Sequence, residues 1–316
     1  MLLNIQLMNL RTFILLILFL STFSLSAESK AYGKLWITAE YQDGLEGSES
    51  ELVSNQSRIG FRGQQELRNE LMAVYQLEYE VDLVDGKADE TRGRTLKQRN
   101  SFVGLKSFYG TLLLGKHDTA FKKSQAQIDL FDDLAADIKN ILHGENRMED
   151  FIGFTTKTSE NGFSVTLNAI KGSGELGKDK IGDYLSYSLN LQRKNFYAAI
   201  AIDSEAKGYD SARYSIHIPK DNYQFGFIYQ ESQEINTNNT EDGFAISALL
   251  KVGSKGEMKI QIAESDMKLS EGRQLTLGYD HKLNKQFKIF FFHSDLSTLN
   301  TVKEKTISAI GFEYSF

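Results

Sequence analysis

Apolar and polar positions alternate with a period of two along most of residues 28–316, the pattern of strands with one apolar and one wet face. Phe163, Val165 and Leu167 alternate with Ser164, Thr166 and Asn168. Leu185, Tyr187, Leu189 and Leu191 alternate with Ser186, Ser188, Asn190 and Gln192, and Ala212, Tyr214, Ile216 and Ile218 with Arg213, Ser215 and His217. Tyr223, Phe225, Phe227 and Tyr229, and then Met258, Ile260 and Ile262, repeat the pattern.

The connections alternate in length. Short turns fall near Asn69-Glu70, Tyr109-Gly110, Asn161-Gly162, Lys194-Asn195, Pro219-Lys220, Lys255-Gly256 and Asn284-Lys285. Longer polar loops are expected at about 42–55, 84–96, 118–146, 171–181, 204–208, 232–242, 266–271 and 296–303. These breaks delimit sixteen strands, and short turns at one end with long loops at the other predict an all-β transmembrane antiparallel barrel. A soluble β-sandwich also alternates. It does not explain Tyr and Phe concentrated near strand ends on the apolar face, or Gln and Asn on the other.

Residues 13–20 are continuously apolar, follow Arg11 and precede Ser21, Ser24, Ser26 and Ala27. Eight apolar residues fall short of the roughly 20 of a spanning helix and fit a cleaved export signal over residues 1–27, leaving one domain over 28–316. Residues 1–27 carry one basic residue and no acid, so the mature charge is 35 − 42 = −7. Zero Cys excludes disulfide, Cys-metal and Cys-nucleophile chemistry. The acidic balance argues against a nucleic-acid partner. The five His show no metal-ligand spacing, and no metal or cofactor is expected.

Several stretches carry a family resemblance. Tyr32-Gly33-Lys34-Leu35-Trp36, Ser57-Arg58-Ile59-Gly60-Phe61-Arg62-Gly63, Gln98-Arg99-Asn100-Ser101-Phe102-Val103-Gly104-Leu105-Lys106 and Gly110-Thr111-Leu112-Leu113-Leu114-Gly115-Lys116 look like the first, second, fourth and fifth strands of the general porins of Gram-negative outer membranes. Phe312, Tyr314 and the terminal Phe316 look like that family's assembly signal, read by the barrel-insertion machinery. The resemblance implies a homotrimer of sixteen-stranded barrels in the outer membrane that passes small hydrophilic solutes and ions. It also implies contact with lipid, lipopolysaccharide and periplasmic chaperones, and a third loop (118–146) that folds into the lumen as a constriction. Strands one to five would supply the trimer contact.

A pore needs shaped charge rather than a catalyst. The expected acidic side of the constriction is Asp129, Asp132, Asp133 and Asp137, with Glu145 near the loop's end; the run 128–138 predicts a short helix with its carboxylates in water. Arg58 and Arg62 share one face of the second strand, opposite Ile59 and Phe61. A charge on the lipid face costs about 2–4 kcal/mol near the midplane, so both should point inward. By resemblance, Arg99 and Arg147 complete the basic wall. The acid excess predicts weak cation preference. A substrate-specific channel for sugars or anions is the alternative within the class. A barrel enzyme lacks a Gly-x-Ser-x-Gly elbow, and His293-Ser294-Asp295 alternates faces along a strand. A secreted soluble binding protein is the third alternative.

Overall fold

The computed structural model describes residues 28–316 apart from 45–46, 90–92, 173–176, 269–270 and 299–303. The expected export signal, residues 1–27, lies outside the described residues. The strands are β1 (Glu28–Gly44), β2 (Gly47–Ser54 continued by Arg58–Arg68), β3 (Leu71–Val81), β4 (Leu96–Gln98 continued by Ser101–Lys106) and β5 (Gly110–Asp118). They continue with β6 (Arg147–Thr156), β7 (Phe163–Lys171), β8 (Ile181–Arg193), β9 (Phe196–Ala206), β10 (Tyr209–Pro219) and β11 (Tyr223–Glu234). The last five are β12 (Thr240–Val252), β13 (Gly256–Lys268), β14 (Glu271–Lys282), β15 (Phe287–Ser297) and β16 (Glu304–Ser315). Each strand pairs antiparallel with its sequence neighbours, and β16 pairs with β1 from Lys34↔Ser315 to Gly44↔Lys305. The result is a closed sixteen-stranded antiparallel barrel with no free edge.

Alternation sets the two faces. Phe61, Leu77, Val103, Leu112, Leu167, Leu189, Ile200, Phe225, Ile260, Leu277 and Ile310 are exposed on the outside, where hydrocarbon replaces water. Ser186, Ser188, Ser247, Gln261, Thr276 and Ser294, on the other parity, are buried inside. The inner face is not uniformly polar. Trp36, Phe290 and Phe292 project inward on β1 and β15, and Ile228, Ala245 and Ala263 on β11, β12 and β13. These apolar patches are covered by the loop that follows β5.

Turns from even to odd strands are short throughout. On the opposite side the described residues of 42–55, 204–208, 232–242 and 266–271, expected as loops, are mostly strand. Polar residues there extend the ladder beyond the apolar belt, because pairing satisfies the backbone whether or not the side chains are wet. The long connections are 82–95, 119–146 and 172–180.

The seam between β16 and β1 depends on a close approach. Gly33 N–H donates to Phe316 O, and Phe316 N–H donates to Gly33 O, both at 3.1 Å. A Cβ on Gly33 would lie 2.3 Å from Phe316 Cζ, so glycine admits the terminal ring. Phe312, Tyr314 and Phe316 then form an outward ladder with Phe287, with ring centroids about 6 Å apart. Replacing Gly33 with Leu is expected to lower the yield of folded barrel several-fold, read as the fraction that migrates compactly in unheated gels. Wild-type yield would contradict this role for the seam.

Candidate functional site

Two strand breaks shape the basic wall. At Asn55–Ser57 the β2 ladder is interrupted, and the Ser57 hydroxyl takes over, accepting from Trp36 N–H at 2.8 Å and donating to Trp36 O at 3.0 Å. Gln56 adopts a positive φ of 49° and places its amide oxygen against Arg99. At Arg99–Asn100 the β4 ladder breaks beside it, and Ser101 Oγ accepts from Glu78 N–H. The breaks bring Arg58 and Arg99 together on the inner wall.

The 119–146 loop runs along the inner faces of the barrel. It opens with a one-turn helix, Ala120–Lys123, capped by Thr119. Ala120 N–H donates to Asn168 Oδ1 on β7, and Phe121 N–H to Ser186 Oγ on β8. Ser247 donates to Ile128 O, Gln261 accepts from Leu130 N–H, and Ser265 donates to Ile141 O. Phe131, Leu134 and Ala136 pack on Trp36, Phe290 and Phe292. Ile128, Ile138, Ile141 and Leu142 pack on Ile228, Ala245, Ala263 and Met267. Each such large side chain, fully buried, is worth about 1.5–3 kcal/mol, so the loop is held as part of a core.

The predicted helix over 128–138 does not form. Asp129 accepts from Phe131 N–H (2.9 Å), Ile138 N–H (3.0 Å) and Gln261 Nε2 (3.0 Å). Asp137 accepts from Asp133 N–H (2.9 Å) and Lys139 N–H (2.7 Å), which starts a 3-10 turn at Ile138–Asn140. Short acidic side chains compete for the amides a helix would use, and tight turns win.

The acids therefore divide by role, rather than all facing water as expected. Asp129 and Asp137 scaffold the loop. Asp133 meets the basic wall, with Arg58 Nη1 at 2.8 Å and Arg99 Nη2 at 3.8 Å. Burial would raise the Asp133 carboxyl, but Arg99 and Arg58 outweigh it and hold it below the usual range. Asp132 is exposed on the loop; the desolvating protein around it in the confined lumen, then the carboxylates of Asp133 and Asp137, push its carboxyl up to about 7. Glu145 is raised by burial, against the pull of Arg213 and Lys122. The carboxylates of Asp129, Asp132 and Asp137 lie within 4.8 Å of one another. Both Asp129 oxygens already accept from the loop's own amides, so the cluster is accounted for as scaffold.

The expected basic residues also separate. Arg99 is almost fully buried and satisfied by Glu78 (3.0 Å), Glu80 (3.5 Å) and Asp133. Arg147 does not face the loop's acids; it pairs with Asp118 at 3.0 Å and donates to Asn100 Oδ1. Arg62 lies over the Tyr32 ring, 4.8 Å from its centroid, and meets no loop carboxylate. Three inward charged residues that meet the loop or the wall were not assigned to the constriction from the sequence. Glu78 and Glu80 follow Gln76 at inward positions of β3, and Arg213 stands among inward polar residues of β10, so alternation alone placed all three in the lumen.

The Gram-negative porin family matches residues 14–298. The outer membrane porin protein 32 of Delftia acidovorans is 26% identical over 284 residues, 81% of this chain and 77% of that protein. Among solved structures, the anion-selective porin from Comamonas acidovorans superposes with a TM-score of 0.74 at 18% identity, over 92% of this chain and 100% of that one. The trimer form of OmpT from Vibrio cholerae gives 0.63 at 13% identity, over 92% and 99%.

Asp129→Ala removes an acceptor shared by three buried donors, each of which costs about 1–3 kcal/mol when left unsatisfied. The variant barrel is expected to fold while its loop becomes cleavable by trypsin at Lys122, Lys123 or Lys139. A loop as resistant as wild type would contradict the scaffold role.

Proposed function

Because the chain belongs to the Gram-negative porin family, a family of outer-membrane channels, we propose that it is a passive diffusion pore for small hydrophilic solutes and ions, narrowed by the 119–146 loop and weakly selective for anions. The observation that carries this reading is the division of the loop's charges. Asp129, Asp133 and Asp137 are buried, Glu145 is nearly so, and only Asp132 is exposed. Lys123, Lys139 and Arg62 are exposed, and Arg58, Lys122 and Arg147 are partly so, with Asp118 exposed to the same degree as Lys122 and Arg147. What water and permeating ions meet is thus more basic than the loop's composition suggests, and local rather than net charge sets selectivity. The acid excess that favoured cations in the sequence is largely spent inside the loop. The similar anion-selective porin from Comamonas acidovorans agrees in sign.

A homotrimer is proposed with it, supported by the trimeric form of the similar Vibrio barrel. The small outward residues Ala31, Gly33 and Gly63 on β1 and β2 suit close subunit contact. Lipid and lipopolysaccharide would surround the remaining apolar belt. The outward Phe312, Tyr314 and Phe316 suit recognition by the assembly machinery, and holding by periplasmic chaperones precedes it. No catalytic role is assigned to any residue.

Single-channel recording of detergent-purified protein in a KCl gradient tests the proposal. Closure in three equal steps and a reversal potential of anionic sign are expected. A cationic sign would overturn the selectivity, and folded protein without conductance would overturn the open pore. Asp132 adds a pH dependence. Its carboxyl changes from mostly neutral to mostly anionic as pH rises from about 6 to about 8, so anion preference should weaken over that interval. Asp132→Asn should abolish that change, and an identical pH profile in the variant would remove Asp132 from the pathway.

A further inference from the structure

We infer that Arg213, a fully buried residue on the inner wall of β10, sets the charge of the aperture from behind the loop. The inference rests on the pore reading above. Arg213 is 0% exposed and touches no permeating solute. Its guanidinium lies over the Phe121 ring, 4.4 Å from the centroid, on the outgoing limb of the loop. On the returning limb it donates from Nη2 to His143 O at 2.8 Å and from Nη1 to Glu145 Oε1 at 3.2 Å. Nε donates to Gln230 Oε1 on β11 at 2.9 Å, which fixes the fork against the wall. One planar side chain thus joins both limbs of the loop to the barrel, a task suited to a fork of fixed geometry.

The limbs can meet there because of Gly144. It has a φ of +98°, and a Cβ would lie 2.3 Å from Phe121 Cε1, so the returning backbone presses directly on the ring. His143 packs beyond it on Tyr209, with ring centroids 4.3 Å apart.

From Arg213 a chain of ion pairs leads forward. Glu145 Oε2 lies 3.6 Å from Lys122 Nζ, Lys122 lies 3.8 Å from Asp118, and Asp118 lies 3.0 Å from Arg147 Nε. Lys122, Asp118 and Arg147 reach the water to a similar degree, whereas Glu145 and Arg213 are buried behind them. Arg213 neutralises Glu145 from the wall side, so that Lys122 and Arg147 together face Asp118 and the chain of pairs keeps an excess of one positive charge at its lumenal end. Without Arg213, at a pH where Glu145 stays ionised, that carboxylate draws on Lys122 alone, and the aperture loses positive charge although no exposed residue has changed. Arg213 is a positioning residue in this sense.

The test compares full-length Arg213→Gln, Glu145→Gln, Arg213→Gln/Glu145→Gln and Arg213→Lys proteins in bilayers under a KCl gradient, with gel mobility as the check on folding. Arg213→Gln should shift the reversal potential toward cations and raise open-channel noise. The double variant should recover the wild-type reversal potential, because the unpaired acid is gone. Glu145→Gln should shift toward anions. Arg213→Lys, which keeps the charge and loses the fork, should keep the selectivity and raise the noise. A purely structural arginine would lower folded yield and leave the reversal potential of the surviving barrels unmoved. A folded Arg213→Gln protein with wild-type reversal potential, or a double variant that stays shifted, would overturn the inference. If Arg213→Gln does not fold, an unshifted Glu145→Gln overturns it equally. Loss of conductance in the wild type would instead overturn the pore reading itself.

Discussion

A chain that crosses hydrocarbon must satisfy every backbone N–H and C=O within itself, and here one contact completes that requirement. Fifteen of the sixteen strand pairings join neighbours in sequence, and only β16 with β1 joins the two ends. Without it both terminal strands would offer unpaired groups to lipid. The closed ladder also fixes which residues face inward, because one face takes alternate residues once the register is set. The arrangement of lumenal side chains, the breaks in β2 and β4, and the inner shelf for the loop all inherit from that closure.

Within the barrel the governing problem is different. A loop of twenty-eight residues (119–146) lies inside the wall and must be held there. Apolar residues on the inner face supply part of the answer, with Trp36, Phe290 and Phe292 on one side and Ile228, Ala245 and Ala263 on another. Carboxylates supply the rest by binding backbone amides, as Asp129 and Asp137 do. At the wall the charges form a network, in which Arg99 sits among Glu78, Glu80 and Asp133 and Arg58 shares Asp133. Such pairs hold geometry more than they add stability, since desolvation offsets much of their attraction.

The barrel was legible in the sequence because a period of two survives strand after strand, and because the position of one long connection after β5 is a matter of counting. The inward aim of Arg58 followed from the cost of the alternative. The interior of the loop was not legible. An acid that scaffolds a turn and an acid that faces water look alike in a sequence, and Asp129 and Asp132 differ only in which amides lie nearby. Phe131 and Leu134 suggested a helix face because nothing local revealed Trp36 waiting on β1. Arg213 lay in plain view on an alternating strand, but its partners His143 and Glu145 are far along the chain and reach it only through the fold.

The seam has a kinetic meaning as well. Its two strands stand at opposite ends of the described chain, so its closure carries the largest loop entropy of any pairing in the barrel. Hairpins between sequence neighbours close short loops at little cost, whereas this contact closes the whole barrel. Until it forms, the curved sheet has two sticky margins and an apolar outer surface, the state most prone to aggregate. The glycine that lets Phe316 reach β1 thus acts on the pairing whose closure costs the most entropy, and weakening it would lengthen the time the chain spends as an open sheet.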